Sequence, residues 1–365
     1  MRIIEIIPTL GAGGAERFVT DLSNSLCEQG NDVHVVLLMK MTPKHSLYVK
    51  DLNPKIHVYS LNKDLGFSFI VLWKLIKLIF NVRPNLIHAH LNALFYVALP
   101  AILNCWRIKY IYTVHNDANK DASNRYFAMV MKYLFSRKKV LPITISDASE
   151  RSFKEFYGFH SYKTIFNGRT VNKVSVSDEV RELVGRCRRT NDTIVFLYLA
   201  RFTEQKRPYL HAKVCNDLYK EGYDVALMMF GEDLSNGEYL HQIESLQSEC
   251  VHVFGVTSKS LEYMKECDAL LLLSNYEGMP IVVIESMAVG CIPICTPVGG
   301  VKDIIESGVN GFLADDCSEK SCYNILKEYL QASIEKKTII KEKTKNSYES
   351  FTMERCCRQY IDVFN

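Results

Sequence analysis

Two glutamates, Glu277 and Glu285, frame a segment suited to a ligand that carries hydroxyl and phosphate groups. Gly278 and Pro280 place a turn directly before a helical pattern that begins at Ile281. Glu277 then lies in a loop after a strand, and Glu285 lies about one turn inside the helix. Carboxylates accept hydrogen bonds from hydroxyl groups, and the free N–H groups of a helix N-terminus favour phosphate. The alternative is a pair of exposed glutamates around an ordinary turn.

A second candidate site is the glycine-rich run Gly11-Ala12-Gly13-Gly14, between the first strand pattern and a helical pattern. Gly13 and Gly14 let backbone N–H groups approach a ligand closely, and the N-terminus of the helix that follows favours an anion. The dinucleotide-binding fingerprint would need a small residue where Glu16 stands, and the Gly-Lys-Ser/Thr of a phosphate loop is missing. The alternative is a tight turn that merely uses glycine.

Strand and helix patterns alternate along the whole chain and must position these residues. Strands are predicted in the first half at 2–8, 32–39, 56–61, 86–90, 110–115, 140–146 and 163–166. After a polar stretch, strands are predicted again at 193–200, 225–230, 251–254 and 269–273. Near-continuous apolar strands separated by helices indicate parallel sheets covered on both faces. The chain is therefore predicted to be an α/β protein, with two Rossmann-like domains facing each other across a cleft and ligands at the carboxyl ends of the strands.

Composition excludes several classes of protein. With 365 residues, 48% of them hydrophobic, the chain has the length of two ordinary domains. The 12 cysteines form no Cys-x-x-Cys, so neither a structural zinc site nor a disulfide framework is expected. The N-terminus lacks a signal-peptide pattern, and the apolar stretch 66–80 is interrupted by Lys74 and Lys77 and is too short to span a membrane. We expect a cytoplasmic protein.

The charges are unevenly distributed along the chain. Residues 1–175 contain 23 Lys and Arg against 12 Asp and Glu, a net charge of +11, whereas residues 176–365 have a net charge of −8. A basic surface attracts phosphate-rich partners, but no nucleic-acid-binding module is recognisable, so nucleic acid is not expected. The apolar stretch 67–80 is most simply a helix that covers a sheet. The alternative is a helix that faces a membrane, which the basic run Arg137-Lys138-Lys139 and the basic first half support, and our hypothesis is peripheral contact with an anionic membrane.

Over nearly its whole length the chain resembles the retaining family 4 glycosyltransferases of the GT-B fold (glycosyl transferases group 1). The motifs that carry the resemblance are Gly13-Gly14-Ala15-Glu16-Arg17, Thr113-Val114-His115, Asn167-Gly168, Ala200-Arg201-Phe202 with Gln205-Lys206, the segment from Glu277 to Glu285, and Gly299-Gly300 with Gly308 and Asn310-Gly311. The pair of glutamates with its Gly-Pro turn is the most specific of them. The chain departs from the family pattern at Arg169-Thr170, where an apolar residue and then an acid are common, and at Asp303, where a glutamate is frequent.

The resemblance implies a hexosyltransferase that moves a sugar from a nucleotide diphosphate donor to a hydroxyl of a glycan or lipid-linked acceptor. The anomeric configuration would be retained, and the setting would be bacterial surface polysaccharide assembly, such as capsule or O-antigen. Residues 1–170 would form the acceptor-side domain and residues 171–346 the donor domain. The last segment, 347–365, would be a helix able to pack back on the N-terminal domain. Membrane contact would then be on the cytoplasmic face of the inner membrane.

The resemblance also implies roles for individual residues. Arg201 and Lys206 would hold the donor diphosphate, although without the family an ordinary solvated loop is the alternative. Glu277 would contact a hydroxyl of the transferred sugar, and Glu285 would accept hydrogen bonds from the ribose. The predicted catalytic residues are His115, Arg201, Lys206 and Glu277. The predicted donor-binding residues are Gly13, Gly14, Arg201, Lys206, Glu277, Gly278, Met279, Pro280 and Glu285.

His115 would reach the sugar or the diphosphate from across the cleft, whereas a lone histidine at the end of a strand is more often structural. Gly13 and Gly14 would line the donor phosphates or the acceptor side. No metal and no cofactor is expected, because the chain contains no Asp-x-Asp and two cations with a helix N-terminus can stabilise the departing diphosphate. Two other functions stay open: a nucleotide-sugar epimerase of the same two-domain architecture, and a non-catalytic nucleotide-sugar-binding protein.

Overall fold

The structure, a computed structural model, describes residues 1–64, 66–104, 107–122, 124–159 and 161–364. The chain divides into two compact units. The N-terminal unit contains Met1–Thr170 together with Phe351–Asn365, and the C-terminal unit contains Val171–Ser350. Each unit is built around one parallel β-sheet.

The sheet of the N-terminal unit is wound in both directions from its first strand. Its strands are β1 (Arg2–Ile7), β2 (Asp32–Met39), β3 (His57–Lys63), β4 (Leu86–His90), β5 (Lys109–Val114), β6 (Leu141–Thr144) and β7 (Lys163–Thr164). Their order is β3-β2-β1-β4-β5-β6-β7, with every pair parallel. The winding reverses between β1 and β4, so the carboxyl ends of these two strands form the switch point where such sheets bind ligands.

Helices cover both faces of this sheet. They are α1 (Gly14–Glu28), α2 (Phe69–Val82), α3 (Leu94–Leu103), α4 (Ala118–Asp121), α5 (Arg125–Ser136) and α6 (Asp147–Tyr157). The consequence is visible in β1, where Ile3, Ile4, Ile6 and Ile7 are all fully buried although successive side chains point to opposite faces. Glu5 is equally buried among them and is the polar exception.

The C-terminal unit repeats the same plan. Its strands are β8 (Ile194–Leu199), β9 (Val225–Phe230), β10 (Val251–Val253), β11 (Ala269–Leu272), β12 (Ile292–Cys295) and β13 (Phe312–Leu313), in the order β10-β9-β8-β11-β12-β13. Its helices are α7 (Asp178–Cys187), α8 (Pro208–Lys220), α9 (Glu238–Glu244), α10 (Ser260–Glu266), α11 (Ile281–Val289), α12 (Val301–Ile304), α13 (Glu319–Gln331) and α14 (Ile334–Ser347). Its switch point lies between β8 and β11. The two parallel sheets confirm the predicted α/β class with two Rossmann-like domains.

The C-terminal helix α15 (Met353–Phe364) belongs to the N-terminal unit and packs against α1. The departure from the family pattern at Arg169 has a structural role here. Its guanidinium Nη1 lies 2.6 Å from the Oδ2 atom of Asp21 on α1, and both side chains are buried. The backbone N–H of Thr170 donates to the same carboxylate oxygen at 3.1 Å. Arg169 thus connects the end of the segment Met1–Thr170 to α1 by a buried ion pair.

The predicted apolar helix at 67–80 is α2, and it has two kinds of face. Val71, Leu75 and Ile79 are buried against the sheet, whereas Phe69 and Trp73 are exposed. The helix therefore covers the sheet and also presents an exposed apolar face, whereas its contact with a membrane stays a prediction. Among the described helices, none combines the length and the apolar character that a membrane span requires.

Candidate functional site

Three loops at the carboxyl ends of neighbouring strands bring most of the predicted donor-binding residues together in the C-terminal unit. The loop after β8 carries Arg201 and Lys206, and the loop after β11 carries the run Glu277-Gly278-Met279-Pro280. The loop after β12 carries Gly299-Gly300. Because β8 and β11 flank the switch point, these loops stand where parallel α/β sheets bind their ligands.

An ion pair joins the first two of these loops. The Nζ atom of Lys206 lies 2.5 Å from Oε1 of Glu277, and Glu277 is only 5% exposed. The side-chain amide of Gln205 donates to the carbonyl of Tyr276 at 2.9 Å, and the backbone N–H of Asn275 donates to the carbonyl of Gln205 at 2.8 Å. The sequence predicted a role for both charged residues but not that they contact each other.

Arg201 is placed differently from Lys206. Its side chain is exposed and, within the part of the chain that the structure describes, makes no hydrogen bond or ion pair. Its backbone is held, because the hydroxyl of Tyr198 donates to the carbonyl of Arg201 at 3.1 Å and the next residue, Phe202, is fully buried. The loop therefore fixes the Cα position of Arg201 while its guanidinium stays available to a ligand.

The glycine loop after β12 touches the loop after β11 through backbone atoms alone. Gly299 has φ +48°, and a Cβ atom at this position would lie 1.7 Å from the carbonyl oxygen of Glu277. The N–H of Gly300 donates to the carbonyl of Gly278 at 2.7 Å. A side chain at Gly299 would therefore clash with the backbone of Glu277, and the glycine pair packs directly against the loop that carries Glu277.

Helix α11 begins at this loop with its N-terminus uncapped by any side chain. Its N-cap residue is Pro280, which has no hydroxyl, amide or carboxylate to offer to the first-turn N–H groups. Such groups attract an anion. Glu285 is the fifth residue of α11 and is partly buried.

A buried histidine that the sequence analysis did not single out clamps the loop after β8 to the end of β11. His211 on α8 is fully buried; its Nδ1 lies 2.9 Å from the carbonyl oxygen of Arg207, and its Nε2 accepts the N–H of Leu273 at 2.9 Å. Since Nε2 accepts, the proton must be on Nδ1, which donates. Burial lowers the pKa of His211 to about 3, so the ring is neutral. The only signal in the sequence was one histidine on the apolar side of a helical pattern.

In the N-terminal unit, Gly13 and Gly14 start helix α1 after β1. Gly13 is the N-cap in extended backbone (φ −172°) without a side-chain cap, and Gly14 is exposed. Glu16, in the first turn, folds back so far that a Cβ on Gly13 would lie 2.2 Å from its Oε2. The acid of a capping box occupies this place. An anion at the N-terminus of α1 would therefore share that end of the helix with the carboxylate of Glu16.

His115 directly follows β5 and is the end of a buried polar cluster. Its Nε2 lies 2.9 Å from Nδ1 of His90, and Nε2 of His90 lies 2.8 Å from Oε2 of Glu5. The same Oε2 atom lies 3.0 Å from Nδ1 of His88, whose Nε2 is 2.8 Å from the hydroxyl of Thr113. Glu5, His88 and His90 are close enough to hold a metal ion, but the carboxylate already accepts hydrogen bonds from both imidazoles. We interpret the trio as a hydrogen-bonded cluster. Spacing along the chain did not predict this cluster.

Burial controls the charge of the groups around His115. The pKa of His115 is lowered well below its ordinary value, first by burial and then by the charges of His90 and His88. The backbone N–H of His115 donates to the carboxyl of Asp121, whose pKa burial raises to about 7. The hydroxyl of Tyr112 also contacts that carboxyl. The predicted site residues thus lie in both units: Gly13, Gly14 and His115 in the N-terminal unit, and the others in the C-terminal unit.

Comparison with known proteins identifies relatives for both units. The family model "Glycosyl transferases group 1" matches residues 184–347, and "Glycosyltransferase Family 4" matches residues 12–173. The O-antigen biosynthesis glycosyltransferase WbnH of Escherichia coli is 27% identical over 319 residues, which are 86% of each chain. The N-acetylgalactosamine-N,N'-diacetylbacillosaminyl-diphospho-undecaprenol 4-alpha-N-acetylgalactosaminyltransferase of Campylobacter jejuni is 25% identical over 374 residues, 97% of each chain. Among solved structures, Anabaena Alr3699/HepE in complex with UDP-glucose has a TM-score of 0.84 and 21% identity, covering 100% of this chain and 99% of that chain.

Proposed function

Because the chain belongs to the group 1 and family 4 glycosyltransferases of the GT-B fold, we propose that it transfers a sugar from a nucleotide diphosphate donor to a hydroxyl of a lipid-linked glycan, with retention of anomeric configuration. The observation that carries the proposal is the Lys206–Glu277 pair beside the exposed Arg201 and the uncapped start of α11. The acceptor class is supported by the Campylobacter jejuni relative, whose name specifies a diphospho-undecaprenol-linked sugar.

The ion pair places a cation for the diphosphate next to a carboxylate for the sugar of the same donor. A lysine ammonium has three N–H donors, and Lys206 uses one of them on Oε1 of Glu277. The other two remain for diphosphate oxygens. Oε2 of Glu277 remains to accept a hydrogen bond from a hydroxyl of the transferred sugar. Glu277 therefore orients the sugar and holds in place the cation that binds the leaving group.

The same groups account for the chemistry of the transfer. When the bond from the sugar to the diphosphate breaks, negative charge accumulates on the diphosphate. Arg201, Lys206 and the first N–H groups of α11 can stabilise this charge, which removes the need for a bound metal ion. Since no carboxylate is assigned as a covalent nucleophile, we favour a displacement on the front face of the sugar, in which the leaving diphosphate accepts the proton of the acceptor hydroxyl.

The donor is proposed to be a uridine diphosphate sugar, because the structural relative from Anabaena contains UDP-glucose. The test is a thermal-shift screen of UDP-hexoses and UDP-N-acetylhexosamines, followed by transfer assays on a synthetic lipid diphosphate-linked sugar. A stabilising donor should yield an extended glycolipid, and the transfer should persist with excess chelator. Loss of all transfer on chelation would contradict the metal-independent mechanism.

Two controls separate this function from its alternatives. Incubation of the donor without any acceptor should leave the sugar unchanged, whereas an epimerase would release an isomerised sugar. A non-catalytic binding protein would be stabilised by the donor but would never consume it in the presence of any acceptor.

Contact with an anionic membrane is proposed for the N-terminal unit. Helix α3 packs against both α2 and α5, and the three helices leave large apolar side chains exposed. These side chains are Phe69, Ile70, Trp73, Leu99, Leu103, Tyr126, Met129 and Tyr133. The exposed basic residues Lys77, Lys132, Arg137 and Lys138 lie on or next to the same helices. An apolar face with a basic border matches a bilayer surface that carries acidic headgroups, where a lipid-linked acceptor would be found.

A further inference from the structure

The polar cluster of the N-terminal unit is assembled on one face of its sheet. Register places Glu5 on β1 opposite His88 on β4, and His90 on β4 opposite Thr113 on β5. Because strand side chains alternate with a period of two, these residues and His115 point to the same face. Helices α1 and α15 pack on that face, since Phe18 lies edge-on to the rings of both His90 and His115 and Tyr360 packs on His88.

The contacts of Glu5 fix the protons on the two imidazole nitrogens that face its carboxylate. Glu5 is ionised: burial raises its pKa, but the charges and hydrogen bonds of His88 and His90 outweigh this and lower it to about 2. An ionised carboxylate only accepts, so His90 must carry its proton on Nε2 and His88 must carry its proton on Nδ1. Nε2 of His88 lies 2.8 Å from the hydroxyl of Thr113, which lies 2.9 Å from the hydroxyl of Tyr360.

The contact with His90 also fixes the position of the proton on His115. Burial lowers the pKa of His90 to about 4, so this ring is neutral and its Nδ1 has a lone pair. The contact of 2.9 Å between Nδ1 of His90 and Nε2 of His115 then requires a proton on Nε2 of His115. His115 is neutral as well, which leaves its Nδ1 unprotonated. Among the described residues, this atom has no hydrogen-bond partner, and it is not fully buried. It can therefore accept a hydrogen bond from a ligand.

We propose that Glu5 and His90 are positioning residues that hold His115 in the tautomer with its proton on Nε2, so that its Nδ1 accepts a hydrogen bond from a sugar hydroxyl. The inference rests on the proposed function, and it decides between two ligands for this histidine. A phosphate oxygen only accepts hydrogen bonds and would face the lone pair of Nδ1, whereas a hydroxyl can donate to it. His115 is thereby assigned to the sugar and not to the diphosphate.

The direct test is the tautomer of His115 in the full-length protein, measured by long-range ¹H–¹⁵N correlation of labelled imidazoles. Loss of one signal in His115→Gln assigns the ring. We expect a protonated Nε2 and an unprotonated Nδ1 at neutral pH. A proton on Nδ1, or on both nitrogens, would overturn the proposal. Glu5→Gln should weaken the preference, because an amide can donate to His90 as well as accept from it.

The kinetic test compares His90→Leu with His88→Leu, because leucine can neither donate to Glu5 nor accept from His115, whereas glutamine could do both. Both replace a fully buried histidine that contacts Glu5, but only His90 leads to His115. We expect kcat to fall by ~10²-fold in His90→Leu with a smaller change in donor KM, and to change by less than about threefold in His88→Leu. Equal losses of kcat in the two variants, at matched unfolding midpoints, would show a merely structural cluster and overturn the proposal.

The two tests separate this inference from the proposed function. If His115 has the expected tautomer but no donor is ever transferred, the function fails and the tautomer assignment stands. If transfer occurs while His115 carries its proton on Nδ1, the positioning role fails and the function stands.

Discussion

Lys206 and Glu277 form an ion pair of 2.5 Å between two loops that are 71 residues apart in sequence. Both side chains are largely shielded from water, with 18% and 6% of their surfaces exposed. A buried pair of this kind is costly to break on one side, since the partner keeps its charge without compensation. The pair therefore stabilises the contact between the two loops and is also proposed to bind the donor.

We expect Lys206→Ala to reduce both stability and activity. The unpaired Glu277 should lower the free energy of unfolding of the C-terminal unit by about 1–3 kcal/mol, and loss of a diphosphate ligand should lower kcat by ~10²-fold or more. The double variant Lys206→Ala/Glu277→Gln removes the orphaned charge, so it should regain stability but not transfer. Urea unfolding and initial rates measure the two effects, and a double variant as unstable as Lys206→Ala would argue against the pair.

Arg201→Ala should separate activity from stability. Because the guanidinium is exposed and has no partner among the described residues, its removal should change the unfolding free energy by less than about 0.5 kcal/mol. Transfer should nevertheless fall by ~10²–10³-fold. Arg186→Ala is the matched control, an exposed arginine paired with Glu182 at 3.5 Å on α7. Turnover at the wild-type rate in Arg201→Ala would remove Arg201 from the donor site.

Gly299→Ala and Gly308→Ala compare a clash with backbone strain alone. Both glycines have positive φ, of +48° and +76°, but a Cβ at Gly299 would lie 1.7 Å from the carbonyl oxygen of Glu277 whereas Gly308 faces open space. Gly308→Ala should cost about 1–2 kcal/mol of stability with little change in donor KM. Gly299→Ala should cost more and displace Glu277, so that donor KM rises and kcat falls. Comparable kinetics in the two variants would contradict the close packing of the loops.

Local patterns were enough to predict many of the elements of this chain and the loops proposed to bind the donor, but they did not predict the short strands β12 and β13. The apolar strand runs, the Gly-Pro turn before Ile281 and the motifs around Arg201 and Glu277 are all short-range features. The structure places the motifs around Arg201 and Glu277, and the Gly-Pro turn, in loops that follow β8 and β11. The predictions for single residues at the site, such as the ribose contact of Glu285, stay predictions.

The buried histidine networks could not be predicted in the same way. His88 and His90 meet Glu5 only because β4 pairs with β1 in one particular register, across more than 80 residues of sequence. A shift of one residue would place Glu5 on the other face of the sheet. His211 likewise acquires its role from the packing of α8 beside the end of β11. Such contacts depend on tertiary register, which spacing along the chain does not encode.

His211 should make the stability of the C-terminal unit sensitive to acid. Its folded-state pKa of about 3 is below the ordinary value of 6.5, so the unfolded chain binds the proton more readily. The contribution of neutral His211 to the free energy of unfolding is therefore complete above pH 6.5 and is lost as the pH falls from 6.5 toward 3. The slope is about 1.4 kcal/mol per pH unit. His211→Gln cannot titrate, so the stability gap between wild type and this variant should shrink by about 1 kcal/mol between pH 7.5 and 5.5.

Hydrogen exchange of the segments around β8 and β11, corrected for intrinsic rates, measures this gap in the unit concerned. The control is His57→Gln, at an exposed histidine of the N-terminal unit, which should leave the exchange of these segments as in wild type. A gap between wild type and His211→Gln that stays constant from pH 7.5 to 5.5 would contradict the buried neutral state of His211.

The exposed apolar face of α2 should determine membrane binding. Phe69 and Trp73 are 78% and 61% exposed, and burying each aromatic side chain in a bilayer surface would contribute about 1–2 kcal/mol. Phe69→Ser/Trp73→Ser should therefore weaken binding to phosphatidylglycerol-containing vesicles by at least ~10-fold. Lys132→Glu should instead weaken the preference for these vesicles over phosphatidylcholine vesicles and reduce the salt dependence. Ile334→Ser, at a position 85% exposed in the other unit, is the matched control and should bind like wild type. Vesicle sedimentation measures the binding. Equal binding by wild type and the double variant would contradict a role of this face in membrane contact.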